Sequence, residues 1–255
     1  MKAAKPLAVL GLVLACVLVA GALMLWPFGG GPAPLLSNAV AMPEAPGEAM
    51  IAMSIENRGG PDRLVSVRSD EAKVAEIVGG TAPEGLPIPA GSTPSLAGDG
   101  AHLELKGIEG ELTEGRLIPV TLVFEVAGAV TTRARVGKPD AHAGHAHVLD
   151  LGPVEVAPKV TMDLRPDGDG WTVTLNSGAF NLTKEGVDGA NVPGQGHAHL
   201  YLGGLKLQRM YGPVAHIGAL PKGQHILQVI LNSHDHQALY AGGKPVGAIA
   251  LIDAR

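Results

Sequence analysis

The chain has 255 residues, room for one or two folded units. Glycine (36) and proline (20) are abundant while Phe, Trp and Tyr number only three, two and three, which argues against long helices. With 19 basic and 24 acidic residues the net charge is −5, and no Lys/Arg cluster follows the N-terminus, so the electrostatic footprint for nucleic acid is missing. The single cysteine, Cys16, removes disulfides, thiolate zinc or copper sites and nucleophilic-cysteine catalysis from everything downstream. Any metal held there must use His, Met or carboxylate.

Taken in chain order, Lys2 and Lys5 precede an uncharged run from Leu7 to Trp26. As a helix this run is about 30 Å long, enough to cross the hydrocarbon core of a bilayer with its positive end in the cytoplasm. Residues 1–34 are therefore expected to form a transmembrane anchor and a short exit linker. Cleavage at Ala20-Gly21-Ala22 and lipidation of Cys16 are the competing readings. All three place the remaining chain outside the cytoplasmic membrane, in the periplasm or its equivalent.

Beyond residue 35 the pattern has period two. Val120, Leu122, Phe124 and Val126 fall on one face, Thr121, Val123 and Glu125 on the other. Similar short runs include Met50 to Ile55, Leu64 to Val67, Leu103 to Leu105, Val160 to Leu164, Trp171 to Leu175, His197 to Leu202 and Ile226 to Leu231. Turn signals such as Arg58-Gly59-Gly60-Pro61-Asp62 and Ala241-Gly242-Gly243-Lys244-Pro245 separate them. The expected class is all-β, with two β-sandwiches, cupredoxin-like or Ig-like, following the transmembrane helix. The aperiodic Gly/Pro/Ala/His stretch around residues 138–153 is expected to link a domain at 35–137 to a second at 154–255.

Pro46-Gly47 leading into MIAMSIENRGGPDRLVSV, then LPIPAG, GDGAHLELKGI and LTEGRLIPVTLVFEVAG, together cover most of residues 35–136. In this order they resemble the PCuAC family of extracytoplasmic copper(I) chaperones, cupredoxin-like β-sandwiches that deliver copper during cytochrome oxidase assembly. Members of that family bind copper through a His followed by Met residues and a later His-x-Met. Here the first of those positions falls at about Val78, the following loop is shortened to Gly79–Gly85, and the His-x-Met reads His102-Leu103-Glu104. His102 and Glu104 share a strand face, a harder ligand pair than His with Met. Met50 and Met53 lie on opposite faces of one strand, so packing competes with ligation for them.

Nine of the ten histidines lie between residues 142 and 236. His142, His145 and His147 sit in the linker and read as a metal-collecting arm or as incidental residues of a solvated connector. In His197-Ala198-His199 the rings share a strand face with Cα atoms about 6.6 Å apart, close enough to hold one ion, while Ala198, Leu200 and Leu202 face the core. His234-Asp235-His236 supplies a second pair, with His225 and His216 before it. Met210 adds a soft ligand or packs in the core. GHAHLYLGG, YGP, GQHILQVILNSHDH and GGKPVGA together look similar to exported His-rich β-domains that accompany copper-handling proteins, and that resemblance ranks His197, His199, His225 and His236 ahead of His234, His216 and His102. Imidazole without thiolate favours Cu(II) over Cu(I), with zinc possible.

The expected function is that of a membrane-tethered extracytoplasmic copper-binding protein, a chaperone or sequestering protein and not an enzyme. Its partners would be the metal ion and a membrane-bound copper acceptor such as a cytochrome oxidase subunit. A non-catalytic, partner-binding double sandwich is the alternative. A third reading rests on the His pattern, which is similar to copper/zinc superoxide dismutase, but the two cysteines of that family's disulfide are missing.

Overall fold

The computed structural model describes residues 32–138 and 147–255. The expected transmembrane run and the linker histidines His142 and His145 lie outside the described residues. Among the described residues no helix is long and apolar enough to cross a membrane. Regular structure there is strand, apart from one short 3-10 turn at Val154–Val156, so the all-β expectation holds.

The first unit contains β1 (Leu35–Ala45), β2 (Glu48–Glu56), β3 (Asp62–Arg68), β4 (Val74–Val78), β5 (Leu86–Ile88), β6 (Ser95–Leu96), β7 (His102–Lys106), β8 (Leu117–Phe124) and β9 (Gly128–Val136). Pairing runs β5-β3-β8-β9-β1-β2-β7-β4, antiparallel except for the β1–β9 contact. This path wraps a core of Ile51, Ile55, Leu64, Leu103, Leu122 and Phe124. The alternation read from the sequence of β8 is realised, with Ile118, Val120, Leu122 and Phe124 buried. Met53 joins this core and Met50 a small cluster with Met42 and Ala52, so both methionines pack.

The second unit contains β10 (Val148–Asp150), β11 (Thr161–Asp167), β12 (Gly170–Asn176), β13 (Asn181–Leu182), β14 (Gln195–Leu202), β15 (Leu205–Met210), β16 (Val214–Ile217), β17 (Gly223–Asn232), β18 (Ala238–Ala241), β19 (Lys244–Pro245) and β20 (Gly247–Ala254). β14 lies between β15 and β17, which in turn pairs with β20 and β18. A separate three-stranded sheet runs β11-β12-β16. Leu200, Leu227, Val229, Leu231, Val173 and Met210 are among the residues of the second core. Residues 148–150 were expected to be linker but form β10, because they pair in parallel with β18 and turn Leu149 onto the core.

The two units share a seam. β6 pairs with β2 on one side and meets β15 at Ser95 and Lys206 on the other. Leu205 belongs to the first core. The β14–β15 turn presents Gly203 and Gly204 carbonyls to the first unit, accepting hydrogen bonds from Thr81 N at 2.9 Å and Ala101 N at 2.7 Å. Gly204 has φ +91°, and a Cβ there would collide with the Gly79 carbonyl oxygen. Glycine is required here twice over, by conformation and by space.

Gly204→Ala is therefore expected to destabilise the protein by about 2 kcal/mol or more. Gly212→Ala, where a Cβ meets nothing within 4 Å, should cost no more than about 0.5 kcal/mol. Urea unfolding of both variants checks this, and equal midpoints would show that the turn is not packed as described.

Candidate metal centre

β14 is buried along almost its whole length on both faces. Alternation sends Ala198, Leu200 and Leu202 into the second core and leaves His197, His199 and Tyr201 in a row on the other face. His197 and His199 are 0% and 2% exposed. Their Nε2 atoms are 3.0 Å apart and the ring centroids 4.8 Å.

The third imidazole comes from the turn after β17. Ser233 shapes that turn by accepting a hydrogen bond from His236 N on its carbonyl, at 3.1 Å, and donating its hydroxyl to Asp235 Oδ1 at 2.5 Å. His236 takes a left-handed φ of +63°, uncommon for a residue with a Cβ, and its ring reaches a centroid distance of 4.8 Å from His197. One ligand nitrogen from each of His197, His199 and His236 lies within 4.8 Å of the others, the one such group among the described residues.

Two carboxylates hold these rings from behind. Asp99, in the loop between β6 and β7 of the first unit, places Oδ2 3.0 Å from His199 Nδ1. The same oxygen accepts a hydrogen bond from the Tyr201 hydroxyl at 3.0 Å and pairs with the buried Lys206 ammonium. Asp188, itself at φ +69°, sits 2.5 Å from His236 Nε2, and its backbone N–H donates to His234 O at 3.0 Å. A carboxylate beside a neutral imidazole nitrogen accepts that nitrogen's proton and leaves the lone pair on the other one. The lone pair of His199 then falls on Nε2.

Burial dominates the protonation chemistry. It drives His197 well below the ordinary histidine range, and the neighbouring His199 and His236 push in the same direction. Burial also lowers His199, to about 4, although Asp99 opposes it. Burial resists ionisation of Asp99, but the hydrogen bond with His199 and the charge of Lys206 outweigh it and hold the carboxyl below its usual range. At neutral pH His197 and His199 are thus uncharged, the state in which imidazole ligates metal.

The donor set fits a divalent ion of borderline softness. Bonds of about 2.0–2.1 Å span at most roughly 4.1 Å between two nitrogens. The pair on β14 already satisfies this, and the widest separation in the group must close by about an ångström. With the lone pair of His199 on Nε2, the proton of the His197–His199 hydrogen bond belongs to His197 Nε2, so His197 would ligate through that atom only once its proton moves to Nδ1.

The remaining expected ligands lie elsewhere. On β17 the antiparallel register sets His199 opposite Ile230, five residues from His225 and so roughly 17 Å along the strand. His225 instead donates Nε2–H to Pro221 O at 2.6 Å. His234 is buried with its ring against Gly186, whose Cβ position lies 3.4 Å away. His216, on the three-stranded sheet, is exposed and 3.1 Å from the Thr172 hydroxyl. His102 donates Nδ1–H to Gly100 O at 3.0 Å and lies 3.8 Å from Glu104. His147 is exposed at the start of the described second unit. Asp99, Asp188 and Lys206 escaped the sequence reading. Asp99, between two glycines in a segment already singled out, was the most readable of them.

With this geometry in place, the comparisons with known proteins can be set beside it. Residues 35–136 match the LpqE-like family model, which ends before the strand that carries His197 and His199. No curated protein matches the chain. Among solved structures the chain is similar to the copper-bound PCuAC domain from PmoF2, at 27% identity over 43% of this chain and 98% of that one, with a TM-score of 0.37. The apo PmoF2 domain gives 28%, 46%, 98% and 0.37 in the same order, and the apo PCuAC domain from PmoF1 gives 28%, 43%, 97% and 0.38.

The buried neutral rings make the metal-free protein acid-sensitive. Unfolded His199 takes up its proton as pH falls through about 6.5, whereas the folded ring does not until about 4. Stability is therefore complete above this window and lost within it, by on the order of 3 kcal/mol at pH 4 from His199 alone. Urea unfolding at pH 7 and pH 4 should show this loss, reduced in His199→Gln. An equal loss in the variant would place the acid sensitivity elsewhere.

Proposed function

We propose that the chain is a copper-binding protein working outside the cytoplasmic membrane, which carries its ion at His197, His199 and His236. The observation that carries this reading is the convergence of two buried, neutral imidazoles with a third, partly exposed one from a neighbouring turn, carboxylates standing beside His199 and His236. Such a set suits Cu(II), with Zn(II) next, because its three donors are imidazole nitrogens. The uncharged run from Leu7 to Trp26 supports a tether that keeps the cargo near membrane-bound acceptors and raises its effective concentration there. The resemblance of the first unit to copper chaperones supports an oxidase under assembly as the acceptor. The role is binding and transfer, with copper as cargo.

A second reading treats the row on β14 as a polar brace for the seam, favoured by the direct hydrogen bond between His197 and His199. One experiment separates the two. Titrated with Cu(II) against a competing chelator, the protein should bind one equivalent tightly. His197→Ala with His199→Ala should lower affinity at least 100-fold, while His225→Ala and His216→Ala stay within threefold of wild type. Nitrogen hyperfine splitting in the electron paramagnetic resonance spectrum should report imidazole ligands. Less than one equivalent bound, or indifference to the double substitution, leaves only the brace.

A further inference from the structure

We propose that Asp99, supplied by the first unit, is the positioning residue that fixes His199 in its metal-ready tautomer, so that the metal centre of the second unit is completed from across the seam. The inference rests on the metal-binding reading above and adds a residue and a dependence between units to it.

His199 Nδ1 has two polar neighbours, Asp99 Oδ2 at 3.0 Å and the Tyr201 hydroxyl at 3.1 Å. The two neighbours would demand opposite tautomers. A carboxylate can only accept, so it requires a proton on Nδ1 and leaves Nε2 free to ligate. A hydroxyl can also donate, and a Tyr201 proton directed at Nδ1 would force the ring's own proton onto Nε2, the atom that faces His197. Asp99 settles the contest twice. It accepts from His199, and it draws the Tyr201 proton to the same oxygen at 3.0 Å. Lys206, buried and paired with that oxygen, keeps the carboxyl ionised and therefore purely an acceptor.

The placement is not a surface accident. Asp99 side chain is 15% exposed and that of Lys206 9%, and Ala97 and Ala101 on either side are buried. Gly100 N donates to Ala97 O at 2.9 Å, closing the loop that presents the carboxylate, and Ala101 N ties that loop to Gly204 O. Imidazole ligands commonly depend on such an outer carboxylate, and its loss typically costs 10–100-fold in metal affinity.

The test uses the full chain with Asp99→Leu and Lys206→Met together, which removes both buried charges so that neither is left unpaired. In the metal-free protein, 15N shifts of the His199 ring should change from the Nδ1–H form in wild type to the Nε2–H form in the double variant. Zn(II) affinity should fall 10–100-fold with stoichiometry unchanged. Asp99→Asn, which keeps an acceptor but not the charge, should retain the wild-type tautomer and fall between the two in affinity, so it carries the test if the double variant folds poorly. The inference is overturned if the double variant keeps the Nδ1–H form, or if its tautomer changes while affinity stays within threefold. A wild-type protein that binds no Zn(II) or Cu(II) overturns the metal reading itself, and the wild-type arm distinguishes that failure from the first two.

Discussion

A strand covered on both faces cannot afford unpartnered polar groups, and β14 carries three imidazole or phenol rings on one of those faces. Everything around the candidate centre follows from how that row is satisfied. Removing a charged imidazole from water is costly, so the rings are neutral. Each ring then needs an acceptor for its one proton: Asp99 serves His199 and Tyr201, and His199 serves His197, whose Nδ1 is left without a partner. Asp99 itself is tolerated because Lys206 is buried beside it, a pairing that offsets the desolvation of both.

The same constraint explains where the two units join. β4 and β7 set Val78 directly opposite His102. The neighbouring Gly79-Gly80 segment packs against Gly203 and Gly204 of the second unit. A loop of small residues leaves room for that turn, and the turn brings Tyr201, Lys206 and His199 to the Asp99 loop. The end of the first unit that carries the Gly79-Gly80 segment and the Asp99 loop is thus the one that receives the His-bearing hairpin.

How much of this could be read beforehand depended on the range of the interaction. Strand alternation is local, so β8, the inward face of β14 and the shared face of His197 and His199 were legible from spacing alone. His225 and His236 looked equivalent because both flank the same strand, yet register decides between them. His225 is carried five residues along β17 from the rung of His199, while the turn bends His236 back over His197. That bend requires a left-handed residue at His236 with no glycine to announce it. β10 was hidden in a Gly/Pro/His-rich stretch because its pairing is with β18, about ninety residues away. Asp99 belongs to a different unit from its ring, and no single-chain periodicity links positions that far apart.

The three ligands are also unequal in a way that bears on loading. His197 and His199 are anchored in a hydrogen-bonded strand between two neighbours, and their separation is already suitable for a shared ion. His236 stands on a short turn, its side chain is 13% exposed against 2% for His199, and its outer partner Asp188 is 59% exposed. The closure of about an ångström that a three-nitrogen site requires must therefore come from the turn, since moving the β14 rings would break packing on both faces of that strand. The cluster thus joins two fixed rings to one borne on a turn, and its more exposed side is that of His236 and Asp188.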